Sequence, residues 1–425
     1  MGLFETLKKY KWMVPILTKA DRKTKATLLK NAMNKKKNFY PEGEYKADVK
    51  NLINCMLCPN MCRFDCGTLQ AAQKESMSPA FKARIGYYLT IGYLDPKDPA
   101  NKEYIDLMYK CTNEENCKVW CPFDFSVVSL LETVREDLNS LGLMPDYVKP
   151  YIENIKNTNT IENYNIFKTY KENGIENIES DGKDEVFYYI GCEMMKFAEI
   201  VKANIKILKK LGVKFSTNLE RRSCCAAPII NARELTIAKE FAQKNKELIE
   251  STSAKIIISD CPGCVYTLTH RYKELGINLK TKVMHITQYI DQLLKENKIS
   301  FKETEIEDSK LVTIHDPCLL SRNLSDTYSI RNILNKIPGI KIIEPIFNKE
   351  LTHCCGWSGT MHWADKELAK KEAKNRLSEL KETGAKIIVS ACPLCEIGLN
   401  YGLEESEKEE IKIIDVSELI SKSIK

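Results

Sequence analysis

The chain has 425 residues, 43% hydrophobic and 29% charged, which is enough apolar material for two or three cored domains. Its net charge of +6 sits in residues 1–50, where thirteen Lys and Arg face five acids. No extended basic surface remains elsewhere, so nucleic acid is excluded as a partner. Seventeen cysteines set the class. They cluster as Cys-x2-Cys and as adjacent pairs, which cannot staple distant segments independently, so metal or cluster ligation is expected rather than disulfides. No secretory signal is read, and thiols of this kind need a reducing compartment, so a cytoplasmic location is expected. No run of about 18 apolar residues announces a membrane span.

Residues 1–50 read as a basic arm, with Leu and Met interspersed from Lys8 to Lys37, and are expected to form a solvated basic helix pair. The start, Met1-Gly2-Leu3-Phe4-Glu5-Thr6, fits a myristoylation pattern formally, but nothing else in the chain supports a lipid anchor. Residues 51–150 carry Cys55-x2-Cys58-x3-Cys62-x3-Cys66 and then Cys111-x5-Cys117-x3-Cys121-Pro122. Bacterial-type ferredoxin runs read Cys-x2-Cys-x2-Cys-x3-Cys-Pro, and the last cysteine of each ligates the other cluster. Seven ligands fit two structural zinc ions poorly, since each ion wants four. Val127, Val128, Leu130, Leu131, Val134 and Leu138 have helical spacing, with Asp124 or Ser126 as N-cap. Residues 151–183 are rich in Asn, Glu, Lys and Ile and read as a loosely packed connector with one or two short helices.

The second half is an internal repeat, 184–300 and 308–425. Lys255-Ile-Ile-Ile-Ser-Asp-Cys261-Pro-Gly-Cys264 matches Lys386-Ile-Ile-Val-Ser-Ala-Cys392-Pro-Leu-Cys395, and Cys224-Cys225 answers Cys354-Cys355. Each repeat reads strand, helix, strand, helix, strand. Val201, Ile205, Leu208 and Leu211 share one helix face in the first; Leu368, Ala369, Ala373, Leu377 and Leu380 do so in the second. The strands are short β-branched runs suited to a buried parallel sheet. Cys192, Cys261, Cys318 and Cys392 follow such strands, where α/β folds place their sites. Each repeat therefore offers five cysteines: Cys192, Cys224, Cys225, Cys261 and Cys264, then Cys318, Cys354, Cys355, Cys392 and Cys395. Five thiolates exceed the four that a cubane needs, which implies an irregular cluster or an exchangeable iron.

These motifs carry a resemblance. Residues 51–150 resemble the helical two-cluster ferredoxin domain of succinate dehydrogenase iron–sulfur subunits and of the C component of heterodisulfide reductase. The resemblance implies that Cys55, Cys58, Cys62 and Cys121 hold one 4Fe-4S cluster. It gives Cys66, Cys111 and Cys117 to a second, either 3Fe-4S or completed by a further ligand. Two departures stand out: one extra residue before Cys62, and Gly67 where proline is usual. The repeats resemble the CCG-domain family, which includes the B and D components of heterodisulfide reductase and the iron–sulfur subunits of glycolate, lactate and glycerol-3-phosphate dehydrogenases. The whole chain is similar to the D type of heterodisulfide reductase component. The implied fold is a helical ferredoxin-like domain followed by two α/β CCG domains with parallel sheets. The implied cofactors are two ferredoxin-type clusters and two noncubane 4Fe-4S clusters, with a disulfide cleaved between the latter. In the first repeat Ala226 stands where the family has glycine. The alternative is an electron-transfer subunit of a flavin-dependent 2-hydroxy acid or glycerol-3-phosphate dehydrogenase.

Among other residues, His353, with His315 and His362, is a candidate proton donor near the second motif. Arg221, Arg222 and Arg322 are candidates to steer an anionic thiol. Asp260 and Asp316 are expected to cap helices, and Trp357 and Trp363 to shield the site. No Gly-x-Gly-x-x-Gly loop occurs, so flavin or nicotinamide chemistry must come from a partner: a flavoprotein, a ferredoxin or a membrane cytochrome. Such a partner could hold the chain peripherally at the inner face of a membrane.

Overall fold

The computed structural model describes residues 18–33, 39–41, 43–217, 219–303 and 310–425. Much of the basic arm lies outside them; within it, Arg22–Met33 is helical. Residues 46–148 form the helical domain. Its helix Val127–Ser140 starts at Ser126, whose side chain accepts from the Ser129 N–H, and buries Val127, Val128, Leu130, Leu131, Val134 and Leu138. Asp48 caps the helix Val49–Leu57 in the same way, accepting from the Asn51 N–H.

The repeats each form a four-stranded, all-parallel sheet. The strands are β1 (Val186–Tyr188), β2 (Phe215–Ser216), β3 (Ile256–Ser259), β4 (Lys282–His285), β5 (Leu311–Ile314), β6 (Lys341–Ile343), β7 (Ile387–Ser390) and β8 (Lys412–Asp415). The orders are β2-β1-β3-β4 and β6-β5-β7-β8. The register sets Val186 beside Ile256 and Val312 beside Ile387. Sequence periodicity shows three strands per repeat and misses β2 and β6. Both are edge strands of two or three residues with a partner on one side only.

Side chains alternate across each sheet. Val186, Tyr188 and Ile258 share one core with Val312, Ile314 and Val389, so the repeats bury a common interior. Phe187, Tyr189 and Ile257 face the other way, into a core that includes Leu52 and Leu131 of the helical domain. Between the sheets, the helix Ala198–Lys210 packs on Val416–Ser423, and Ile286–Lys295 packs on Ser329–Lys336. The helix after the first strand of one repeat thus meets the last helix of the other, twice. This pseudo-two-fold arrangement sets the carboxyl ends of both sheets side by side.

The connector is not loose. It forms helices Lys149–Thr158 and Ile166–Glu172. Ile152, Ile155 and Ile161 join one core and Ile166, Tyr170 and Ile175 the other. Its apolar residues are spaced too sparsely for a helical stripe to show, because the segment is shared between two cores.

Candidate iron–sulfur redox site

In the first repeat, Cys192 follows β1, Cys224 and Cys225 precede the short helix Ala227–Asn231, and Cys261 caps the helix Pro262–Tyr266 that carries Cys264. The five sulfurs form a chain of contacts, 192–224–225–264–261. The Cys225 and Cys264 Sγ atoms are 3.4 Å apart. The second repeat repeats the order as 318–354–355–395–392. All ten are buried and none forms a disulfide. Cys225 and Cys355 hold the centres. Hydrogen bonds from Cys224 and Cys264 draw the Cys225 thiol down to about 5. Bonds from Cys354 and Cys395 draw Cys355 well below its usual range. The two groups adjoin: a Cβ at Gly263 would lie 3.6 Å from Cys261 Sγ and 3.7 Å from Leu319 Cδ1 of the second repeat, and Cys261 is an electrostatic neighbour of Cys392.

The helical domain sorts its cysteines into two neighbouring groups. Burial and the proximity of Cys62, Cys58 and Cys121 push the Cys55 thiol up. Cys117 is buried beside Cys111 and Cys66, with Cys62 of the other group further off. Cys66, Cys111 and Cys117 line one cavity with Lys82, Glu114 and Glu115. The Cys111 carbonyl accepts from the Thr360 N–H at 3.2 Å, so this second group abuts the loop after Cys355. Four cysteine groups therefore lie in a series of neighbours.

The donor chemistry fits iron–sulfur clusters. Free thiols converge in fours, threes and fives, and all ten of the repeats are buried. Arg222, only 3% exposed, lies beside Cys192 and Cys224, and its Nε and Nη2 have no protein partner. A buried guanidinium with unpaired donors requires an anion next to it, and thiolates around a cluster supply one. Arg222→Met is therefore expected to stabilise the cluster-free chain by about 2 kcal/mol, by removing an unsatisfied buried charge, while lowering iron retention in the first repeat. Urea midpoints with and without reconstitution, beside iron content, check this.

Several residues take roles other than those the sequence suggested. His353 does not face a sulfur. Its Nε2 meets Asp65 Oδ1 at 2.6 Å and its Nδ1 meets Glu379 Oε1 at 2.5 Å, so neither nitrogen is left for a substrate. Burial alone would lower its pKa, but the two carboxylates override this and raise it to about 9. His353 is an imidazolium bridge between the helical domain and the second repeat. His315 is the histidine at the sulfurs: its Nδ1 accepts from Arg376 Nε at 3.2 Å, and its ring lies within 4.8 Å of the Cys355 and Cys395 sulfurs. His362 is stacked on Trp357 at 5.3 Å, and burial lowers its pKa to about 4, which keeps it neutral. Trp363 stacks on Tyr151 of the connector at 4.6 Å. Arg221 is exposed. Arg322 is no steering group either. It donates to the Glu114 carbonyl at 2.6 Å and the Thr352 carbonyl at 2.7 Å, latching two domains. Asp260 caps no helix and accepts from Tyr188; Asp316 is paired with Arg331 at 2.7 and 2.8 Å and also accepts from the Lys349 N–H at 2.7 Å, at the start of the short helix Lys349–Leu351.

Sequence reasoning missed Tyr164, whose hydroxyl bonds the Cys192 carbonyl, and Asn245, which donates to the Cys224 carbonyl at 2.8 Å. Asn245 and Arg376 are each the eleventh residue of equivalent helices, Leu235–Glu250 and Lys366–Lys381. Aligning the two repeats through their helices, not only their cysteines, would have exposed both.

Two parallel sheets that present matched five-cysteine loops at adjoining ends define a twofold cysteine-rich redox protein. The family described as CCG, cysteine-rich domain, matches residues 186–269 and 312–400. The chain carries two CCG cysteine-rich domains and is similar to the D component of heterodisulfide reductase. It is 28% identical over 413 residues to the D component of dihydromethanophenazine:CoB–CoM heterodisulfide reductase of Methanosarcina acetivorans, covering 89% of this chain and 97% of that one. It is 24% identical over 378 residues to the B component of fumarate reductase (CoM/CoB) of Methanothermobacter marburgensis, covering 88% and 72%. It is 21% identical over 437 residues to a probable glycolate oxidase iron–sulfur subunit of Bacillus subtilis, covering 90% and 96%. These relatives are named as components of oxidoreductases, and an iron–sulfur electron-transfer role follows for this chain. No helix among the described residues is long and apolar enough to cross a membrane.

Proposed function

We propose that the chain reduces a disulfide of small thiol coenzymes to two thiols, with electrons entering through the helical domain from a protein partner. The observation that carries this reading is that two complete five-cysteine groups adjoin, with Cys261 of one near Cys392 of the other, behind loops that wall one cleft. A small cleft, partly open to solvent, is lined by Val128 of the helical domain, Ile230, Gly263 and Tyr266 of the first repeat, and Leu319 and Ser358 of the second. Gly263 lies between Cys261 and Cys264, and Leu319 follows Cys318, so the cleft reaches the loops of both groups. The absence of a side chain at Gly263 lets a sulfur chain approach Cys261 closely.

In this reading Cys55, Cys58, Cys62 and Cys121 hold one ferredoxin-type cluster, and Cys66, Cys111 and Cys117 hold a second. The five cysteines of each repeat hold one noncubane 4Fe-4S cluster. Bound clusters would supply electrons singly and offer iron to a released sulfur. The overall change breaks one S–S bond: two electrons from the partner and two protons give two thiols. The chain itself holds the sulfurs in place, balances their charge with Arg222, and keeps the groups dry. Leu57, Met61, Phe64, Val119, Trp120 and Phe123 are exposed around Cys58, Cys62 and Cys121, forming an apolar rim suited to a docking electron donor. A flavoprotein, a ferredoxin or a membrane cytochrome would each serve.

The test uses the full chain, loaded anaerobically with iron and sulfide, with a reduced viologen dye and the CoB–CoM heterodisulfide named for its relatives. Two thiols released per two electrons consumed is the expected result. Cys392→Ser is expected to abolish release while the EPR signals of the helical domain persist. A fully loaded chain that releases no thiol overturns the reading. The likeness to a glycolate oxidase iron–sulfur protein would then favour the second reading, an electron carrier for a flavin dehydrogenase.

A further inference from the structure

The second cysteine group of the helical domain is one ligand short, and the sequence shows where the missing one belongs. Ferredoxin runs read Cys-x2-Cys-x2-Cys-x3-Cys-Pro. This chain reads Cys111-x2-Glu114-x2-Cys117-x3-Cys121-Pro122, so a glutamate occupies the place of the second cysteine. Glu114 is 6% exposed and lines the same cavity as Cys66, Cys111 and Cys117.

The Glu114 carboxylate lies between this group and the second repeat, within 4.8 Å of Glu372 and of the Cys354 sulfur, and two donors hold it. Glu114 Oε1 accepts from the Gly67 N–H at 3.3 Å, and Arg322 Nη2 lies 3.5 Å from Oε2. The Glu114 carbonyl accepts from Arg322 Nε at 2.6 Å, so one arginine fixes both the backbone and the carboxylate. Gly67 stands where ferredoxin runs have proline. A proline there would have no N–H to give Glu114. A Cβ there would also lie 2.8 Å from Glu372 Oε1. The two departures from the ferredoxin pattern, glutamate for cysteine at 114 and glycine for proline at 67, thus meet in one hydrogen bond. A carboxylate oxygen is a competent iron ligand, and donors to a ligating carboxylate orient it.

We propose that Glu114 is the fourth protein ligand of the cluster held by Cys66, Cys111 and Cys117, making it a 4Fe-4S centre with one oxygen ligand, with Gly67 and Arg322 positioning the carboxylate. This rests on the assignment of those three cysteines to a cluster, and the experiment separates the two claims. The full chain is reconstituted anaerobically, and iron content, Mössbauer spectra and EPR after mild oxidation are recorded for wild type, Glu114→Ala, Glu114→Cys, Glu115→Ala and Cys117→Ser. Wild type is expected to show no three-iron EPR signal. Glu114→Ala should lose about one iron per chain and gain that signal, as expected for a cubane that sheds its unsupported iron. Glu114→Cys, which keeps a ligand and guards against a folding defect, should retain the iron and lack the signal. Glu115→Ala is the control for the neighbouring carboxylate, whose Oε1 is engaged by Ser126 at 2.6 Å and whose Oε2 is buried without a protein partner; it should match wild type if Glu114 is the ligand. A three-iron signal of equal size in wild type and Glu114→Ala overturns the proposal, as does its appearance in Glu115→Ala instead. If Cys117→Ser loses no iron, the cluster assignment itself fails.

Discussion

Gly356→Ala is expected to destabilise the second repeat by about 4 kcal/mol and to strip its cluster. Gly356 follows the Cys354-Cys355 pair at φ +78°, where an L side chain is strained by about 1 kcal/mol. A Cβ there would lie 2.3 Å from the Ala369 carbonyl oxygen and 3.3 Å from the Ala373 nitrogen. Both are backbone atoms of the helix Lys366–Lys381 and cannot swing aside, so about 3 kcal/mol of overpacking is added. Relief would come by moving the loop that holds Cys354 and Cys355. The equivalent Ala226 sits at φ +68° with its Cβ accommodated and fully buried. The converse change, Ala226→Gly, should therefore stay within about 1 kcal/mol of wild type, since relieved strain is offset by lost burial and a freer unfolded chain. Iron content per chain and denaturant midpoints of both variants check the asymmetry. A Gly356→Ala chain that loads and unfolds like wild type would show that the loop yields freely.

Glu132→Ala is expected to cost about 3 kcal/mol, at the lower end of the range for breaking a buried ion pair. Arg271 Nη1 and Nη2 grip the two carboxylate oxygens of Glu132 at 3.0 and 2.9 Å, and the side chains are 9% and 7% exposed. Removing Glu132 leaves a buried guanidinium whose remaining partner, Glu274 at 3.0 Å, is half exposed. The pair fastens the helix Val127–Ser140 to the first repeat, and Arg135 assists by donating to the Asn231 carbonyl at 2.9 Å. The double change Glu132→Leu with Arg271→Met should recover most of the stability, because well-packed apolar groups replace buried ion pairs with little penalty. Comparing single and double variants by urea unfolding of the anaerobic protein gives the coupling. A double variant no better than Glu132→Ala would assign the loss to packing instead.

His353 shows where proximity in sequence misleads. It adjoins Cys354 in the chain, yet its ring points away from the sulfurs to Asp65, 288 residues distant in sequence. His315 does face Cys355, although its nearest cysteine in the chain is Cys318, three residues on. Which histidine touches sulfur depends on the direction of the side chain at the end of β5, and that is set by sheet alternation and the buried Arg376 behind it. Arg322 is a similar case: basic and near a motif in sequence, it is spent on three backbone carbonyls, those of Glu114, Glu350 and Thr352.

The cysteines themselves were legible at once. Closely spaced cysteines stay close in space: Cys55, Cys58 and Cys62 lie near Cys121, Cys117 lies near Cys66 and Cys111, and each repeat gathers its own five. The repeat was legible for the same reason: β-branched strands and amphipathic helices are local patterns, and Lys255 to Cys264 and Lys386 to Cys395 are nearly the same pattern written twice. The order of the groups in space was not. That Cys111 lies against Thr360, that Cys261 faces Cys392, and that Glu114 reaches Gly67 depends on packing between segments far apart in the chain, held by Glu132–Arg271, His353–Asp65 and the helix pairs between the sheets. Local spacing determines which atoms gather around a centre; only the tertiary packing decides which centre stands next to which, because no local pattern encodes a contact made across hundreds of residues.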